Sequence, residues 1–381
     1  VTERRTVPFN RPCLAGGEFE RMAAAIAGMQ ISGNGPFTAS CQRVLETMTG
    51  SPRALLTTSC TDALEAAALL LGVGPGDEVI VPAFAFVSTA NAFALRGARP
   101  VFVDVRPDTM NLEHELLEAA VTPRTKAIVP VHYAGVACDM DAVLGLARTL
   151  GIAVVEDAAH GLGGAYRGRP LGSLGALAAL SFHETKNFTC GEGGALLVND
   201  AALAERAEVL VEKGTDRRRF ARGLADKYTW VDLGSSFLPS DMLAAFLSAQ
   251  LEAREAIQAK RRAIWERYRD GLAGWARETG ARLPHVPADC EQAYHMFWML
   301  LPTAAARTRL IASLAERGVH AVFHYVPLHT SPMGLRFGGR AGQCPVAEAA
   351  GERLVRLPFF TDLSEDDQRA VIVAVREARL D

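Results

Sequence analysis

Lys186 lies between an apolar run and a glycine turn, in the stretch ALAALSFHETKNFTCGEGG that covers residues 176–194. Only five of the chain's 40 basic residues are lysines (126, 186, 213, 227 and 260); the others are arginines, which stay protonated near neutral pH. A lysine ammonium titrates near ~10.4 in water, but a desolvated one becomes a neutral amine able to form a Schiff base. The ordinary reading is a surface lysine in a hairpin turn, so other residues must decide.

Several other stretches offer polar or aromatic groups at the right kind of place. LLTTSCTDALEAAALLLGV (55–73) reads as a strand entering a helix, with Leu64, Ala67, Ala68 and Leu71 spaced i, i+3, i+4, i+7. Thr58, Ser59, Thr61 and Asp62 surround the helix start, where unpaired N–H groups and the helix dipole favour a phosphate. Plain N-capping explains the same residues. AVVEDAAHG (153–161) puts Glu156 and Asp157 at a strand's carboxyl end, followed by His160. Open parallel sheets bind ligands at such ends, and a carboxylate there can hold a heteroaromatic nitrogen protonated, making a pyridinium electron sink. A helix cap and a packed histidine are the alternatives.

VPAFAFVSTANAF (81–93) offers Phe84 or Phe86 to stack on a planar cofactor or to fill the core, and VPVHYAG (129–135) offers His132 and Tyr133 with the same ambiguity. Ser181, five residues before Lys186, could donate to the same phosphate. Each signal is weak alone. Together, a phosphate-ready helix start, an acid and an aromatic at strand ends, and a lysine on a loop are the parts of a pyridoxal 5'-phosphate (PLP) site.

The elements that must position these groups follow an α/β pattern. Seven short β-rich runs (54–58, 78–83, 100–105, 127–133, 153–159, 176–183 and 195–199) alternate with helical patterns at 61–71, 87–96, 113–120 and 140–150. That alternation predicts a seven-stranded, mostly parallel sheet covered on both faces. Only the last two strands lack an intervening helix, because the Lys186 loop joins them. Helices are expected at 18–29 and 38–48 in an N-terminal arm, and at 201–213; a long helical stretch over 240–275 bridges two domains. The large domain is placed at 1–245. The remainder, 246–381, reads as a smaller α+β domain with strands at 296–301 and 321–326 and helices near 304–317, 345–355 and 364–378.

With 381 residues, 49% hydrophobic and 22% charged, the chain can bury two cores and is too apolar for disorder. Its net charge of -3, with both signs mixed along the chain, argues against nucleic acid or an anionic membrane as partner. Seven scattered cysteines without a C-x-x-C spacing argue against a disulfide framework or a metal site, which leads to the expectation of a cytoplasmic protein. Neither a signal-peptide pattern nor an eighteen-residue apolar run occurs.

The chain resembles the DegT-type nucleotide-sugar aminotransferases over essentially its whole length. The family's SFH-x-x-KN followed by GEGG appears as SFHETKNFTCGEGG, its VIEDAAQ or VIEDAAH as VVEDAAH, its PS-x-TFVATANA as PAFAFVSTANA and its GSGT-x-AL as TSCTDAL. The resemblance implies the aspartate-aminotransferase-like (type I PLP) fold, a homodimer with shared active sites, and PLP as cofactor. It makes Lys186 the Schiff-base lysine, pairs Asp157 with the pyridine nitrogen and sets His160 beside the ring. Phe86, not Phe84, becomes the stacking residue, and Thr61, Asp62 and Ser181 hold the phosphate. SFHETKN, VPVHYAGVACDMD, VFVDVRPDTMN and AVFHYVPLH look most like the dTDP-4-keto-6-deoxyglucose 4-aminotransferases within the family.

That likeness implies transfer of an amino group from L-glutamate to the C4 ketone of a dTDP-4-keto-6-deoxyhexose, giving a dTDP-4-amino-4,6-dideoxyhexose. Tyr325 and His329, in HYVPLH, are the expected substrate-side residues, each also readable as structural. Most family members read LGYNYRMT where this chain has LGSSFLPS, so Ser236 and Leu238 replace an asparagine and an arginine, the asparagine being one that reaches the partner subunit's phosphate. Three rivals share the fold: a 3-ketosugar aminotransferase with the same cofactor residues, a non-catalytic PLP-binding regulator, and a sugar 3-dehydratase, which Lys186 opposes.

Overall fold

The computed structural model describes residues 6–221, 223 and 226–380. Seven strands, β1 (Arg53–Thr57), β2 (Glu78–Pro82), β3 (Arg99–Val103), β4 (Thr125–Ile128), β5 (Ala153–Asp157), β6 (Leu177–Ser181) and β7 (Gly194–Val198), form one sheet. Their order is β1-β7-β6-β5-β4-β2-β3. Strands β2 to β6 pair in parallel, whereas β7 runs antiparallel to both β6 and β1. The exception has a local cause. The loop between β6 and β7 contains no crossover helix, and without one the chain can only return antiparallel.

Central strands buried on both faces need continuous apolar runs, which is why Val79, Ile80 and Val81 of β2 and Leu177 to Leu180 of β6 are all buried. The covering helices are α1 (Glu18–Ala27), α2 (Pro36–Thr49), α3 (Cys60–Leu70), α4 (Val87–Ala94), α5 (Met140–Leu150), α6 (Ala204–Val211) and α7 (Asp241–Glu252). The expected long bridging helix is two helices. Helix α7 stops at Ala253, which leaves helical geometry (φ -81, ψ 7), and α8 (Arg254–Thr279) continues beyond it. Alanine carries no breaking signal, so periodicity alone runs through this break.

A second body holds the sheet of β8 (Trp298–Leu300), β9 (Val322–Phe323) and β10 (Leu354–Arg356), in the order β8-β10-β9 and antiparallel throughout. Helices α9 (Ala304–Glu316), α10 (Pro345–Arg353) and α11 (Glu365–Glu377) pack around it. The strand expected over 321–326 ends at Phe323, because Tyr325 takes a left-handed φ of 45. Residues 354 and 355, read from the sequence as the end of a helix, begin the strand β10. Leu247, Leu251 and Ile257 pack with the first sheet, whereas Ile264, Trp265 and Tyr268 pack with Phe297, Leu310 and Val371 of the second body. The packing therefore changes from one core to the other within α8. Among the described residues, no helix is long and apolar enough to cross a membrane.

Candidate active site

The carboxyl ends of the parallel strands open into a cleft of about 740 Å³ that reaches the second body. At its base α3 begins. Ser59 caps the helix by accepting from the Asp62 amide at 3.0 Å. The first amides of α3 are thereby left facing the cleft, the arrangement that suits a bound phosphate. Gly194 makes this possible. A Cβ there would stand 2.4 Å from the Ser59 carbonyl carbon and 2.5 Å from the Cys60 nitrogen, so the turn that returns the chain into β7 must end in glycine.

The first turn of α4 joins two of the expected groups. Its Ser88 hydroxyl lies 2.7 Å from that of Thr61, and Thr89 Oγ1 donates to Asp157 Oδ2 at 2.6 Å. The Ala159 amide donates to the other carboxylate oxygen at 3.1 Å, which fixes the Asp157 side chain at the end of β5. Phe86 is the N-cap residue of α4 and stays 56% exposed in the cleft, whereas Phe84 is fully buried against Tyr133 and Tyr325.

Side chains alternate along β5, so Glu156 faces the interior while Asp157 reaches the cleft. Glu156 accepts from the amides of Gly172, Leu174 and Gly175 at 2.6 to 2.9 Å and pairs with His132 Nε2 at 2.8 Å. Burial works against the His132 charge, but its bonds to Cys138 and Glu156 prevail and raise its pKa to about 10. These two residues support the strand ends rather than line the cleft.

The loop after β6 is tied by backbone bonds from Phe182 to Gly193, Cys190 to Phe182 and Lys186 to His183, each of 2.8 to 3.0 Å. It delivers Lys186 to the cleft, where burial lowers the amine to about 8 despite the opposing influence of Cys60 and Asp157. Asn187 anchors the same loop, donating to the Ala293 carbonyl at 2.6 Å and bonding His295 Nδ1 at 3.0 Å. His295 in turn stacks on His160 at 4.2 Å between ring centroids. Burial, followed by the Lys186 charge, keeps His160 well below the ordinary histidine pKa, so its ring is neutral.

Of the residues expected from the sequence, Thr61, Phe86, Asp157, His160, Ser181, Lys186 and Tyr325 all line this cleft. Three do not. Asp62 gives its amide to Ser59 and its carboxylate accepts from the Thr58 hydroxyl, which turns it away from the cleft. Ser236 is exposed on the loop bridged to Glu212, outside its own chain's cleft. His329 is wholly buried on the turn Leu328–Thr330 and bonds Glu348 at 2.9 Å, apart from the residues that line the cleft. Sequence reading missed Ser88, His295 and Arg356, all of which line the cleft.

This donor set fits PLP. An amine, a fixed carboxylate, a helix N-terminus with hydroxyls and an exposed aromatic ring share one cavity, and His160 keeps a buried Nδ1 that has no hydrogen-bond partner among the described residues. Residues 12–376 match the DegT/DnrJ/EryC1/StrS aminotransferase family. The spore coat polysaccharide biosynthesis protein SpsC of Bacillus subtilis is 34% identical over 97% of this chain and 96% of its own. The aminotransferase TlmJ from Streptoalloteichus hindustanus superposes with a TM-score of 0.89 at 34% identity, covering 97% of this chain and 98% of TlmJ. The PLP form of Spr1654 from Streptococcus pneumoniae gives a TM-score of 0.89 at 28% identity, covering 98% of each chain. The chain belongs to the DegT/DnrJ/EryC1/StrS aminotransferase family, with the type I PLP fold and PLP as its cofactor.

Proposed function

We propose that this chain is a nucleotide-sugar transaminase that moves the amino group of L-glutamate to the C4 ketone of a dTDP-4-keto-6-deoxyhexose. One observation carries the transfer chemistry: Lys186, with its amine lowered to about 8, shares the cleft with Asp157, Phe86 and the start of α3. Support for a sugar substrate comes from SpsC, named for polysaccharide biosynthesis. Support for C4 over C3 comes from the motifs SFHETKN, VPVHYAGVACDMD and AVFHYVPLH.

When bound, PLP supplies the electron sink that acidifies the donor's Cα–H. Thr61, Ser181 and the first amides of α3 would hold its phosphate, Asp157 its ring nitrogen and Phe86 its ring face. Lys186 takes the proton from the donor Cα and delivers it at the cofactor's C4′. In the second half-reaction the same amine moves a proton to sugar C4, so one base serves both and ping-pong kinetics follow.

The reading includes a cytoplasmic homodimer. The seven free thiols accord with a reducing compartment. Trp230, Val231 and Leu233 lie exposed on the loop that carries Ser236, an apolar surface that a second copy would cover while bringing Ser236 toward its partner's site.

The test is NMR of the product made from dTDP-4-keto-6-deoxyglucose and glutamate by the PLP-loaded protein, with Lys186→Ala alongside. We expect an amine at C4 and no turnover by the variant. An amine at C3, or turnover retained without the lysine, overturns the reading.

A further inference from the structure

The second body places one cation in the cleft for which the cofactor has no use. Arg356 ends β10 and lines the cavity together with Lys186 and His160. Its Nη2 donates to the Phe323 carbonyl at 3.2 Å, and its guanidinium lies over the Phe9 ring, 4.7 Å from the centroid. Its Nε is buried and has no hydrogen-bond partner among the described residues. The titratable neighbours that act on it are Tyr133 and Tyr325, both kept neutral by burial, with no carboxylate among them. Arginine does not shed its proton in a protein, so among the described residues this charge is held, mostly buried, without an anion.

Around it the titratable groups are basic or neutral. Arg356 acts on Lys186, His160, His295 and His324 alike, in each case opposing their protonation. Of the two acids that line the cleft, Asp157 is already engaged by Thr89 and Ala159, and Glu192 lies 3.7 Å from His183. An anionic ligand is what the position lacks. The free Nε, with a remaining Nη hydrogen, offers the planar fork that a carboxylate accepts.

Besides the cofactor phosphate, assigned to the start of α3, three anionic groups enter an active site of this kind: the donor's α-carboxylate, its γ-carboxylate, set off from Cα by two methylenes, and the nucleotide's diphosphate. Proximity to the lysine separates them. An α-carboxylate is bonded directly to the Cα from which Lys186 takes its proton, whereas a diphosphate on C1 of a hexose stands across the ring from C4. We propose that Arg356 anchors the α-carboxylate of the amino donor and so restricts the donor to α-amino acids. The proposal rests on the transaminase reading and names the donor side of the same site.

The test compares PLP-loaded wild type, Arg356→Lys and Arg356→Gln in the two half-reactions separately, by stopped-flow absorbance of the cofactor. Glutamate and γ-aminobutyrate, which lacks the α-carboxylate, serve as donors, and succinate binding by calorimetry gives a readout independent of turnover. For Arg356→Gln we expect the glutamate concentration at half-maximal rate and the succinate Kd to rise about 100-fold, with Arg356→Lys in between. Reaction of the pyridoxamine form with the ketosugar should be unchanged. Loss confined to the sugar half-reaction, equal loss in both, or no change with glutamate overturns the proposal. So does a wild type that uses γ-aminobutyrate as well as glutamate, a result no folding defect can imitate. A wild type inert to every α-amino acid overturns the transaminase reading and the proposal with it, whereas a reactive wild type matched by Arg356→Gln overturns the proposal alone.

Discussion

Burial lowers the Lys186 amine to about 8, with Cys60 and Asp157 favouring the charge and Arg356 opposing it. Below that pH the group is an ammonium and above it a nucleophile. In protein stripped of PLP, acylation followed by mass spectrometry should therefore give Lys186 a midpoint near pH 8. Lys260, raised by its hydrogen bond to Asp362, should stay unreactive until above the ordinary lysine value. A common midpoint for both would contradict the desolvated environment. Most of this chemistry was legible from residue type at a strand end, as with Asp157, Phe86 and Lys186. Arg356 was not, because nothing in its sequence neighbourhood separates it from the chain's many other arginines. The burial of His329 was not legible either, because HYVPLH reads as a strand end, whereas the turn at Leu328–Thr330 sets the ring in the interior.

Elements were legible where burial imposes a pattern and hidden where it does not. All seven strands of the large sheet carry apolar runs in the sequence. By contrast β10 follows α10 without a break in apolar spacing, and the hairpin Ala165–Tyr166 with Arg169–Pro170 is too short to show one. The meeting of β7 with α3 gives a sharp test. In Gly194→Ala the new methyl would press on the Ser59 and Cys60 backbone and displace the helix start. We expect a loss of about 1–3 kcal/mol in stability and weaker PLP retention, read by thermal melting and equilibrium dialysis. Gly145→Ala, in α5 with open space around its Cβ, is the control and should melt no lower than wild type. Equal behaviour of the two variants would mean that the close approach does not shape the phosphate end.

Across the whole molecule the buried histidines set the response to acid. His160, His295 and His324 are all held well below 6.5, with burial as the first cause. A group lowered in the folded state takes up its proton only on unfolding, so its contribution is intact above pH 6.5 and lost as pH falls below it. Each should cost about 1.4 kcal/mol per pH unit. His132, raised to about 10, has the opposite sign: its contribution is full below 6.5 and fades as pH climbs toward 10. The melting temperature should then peak near neutrality and drop between pH 6.5 and 5.5, before the ordinary carboxylate range is reached. A flat profile over that interval would show that these rings accept protons while folded.

The first described residues are stitched to the last quarter of the chain. Val7 bridges Val319, the Phe9 carbonyl accepts from the Phe359 amide at 3.1 Å, and Phe9 and Asn10 line the cleft. Anyone attaching this protein to a surface or a fusion partner through that end would be pulling on the ring beneath Arg356. The cofactor, held at the starts of α3 and α4 and at the ends of β5 and β6, would stay loaded and coloured, and a preparation that passes every spectroscopic check could still have lost its grip on the donor.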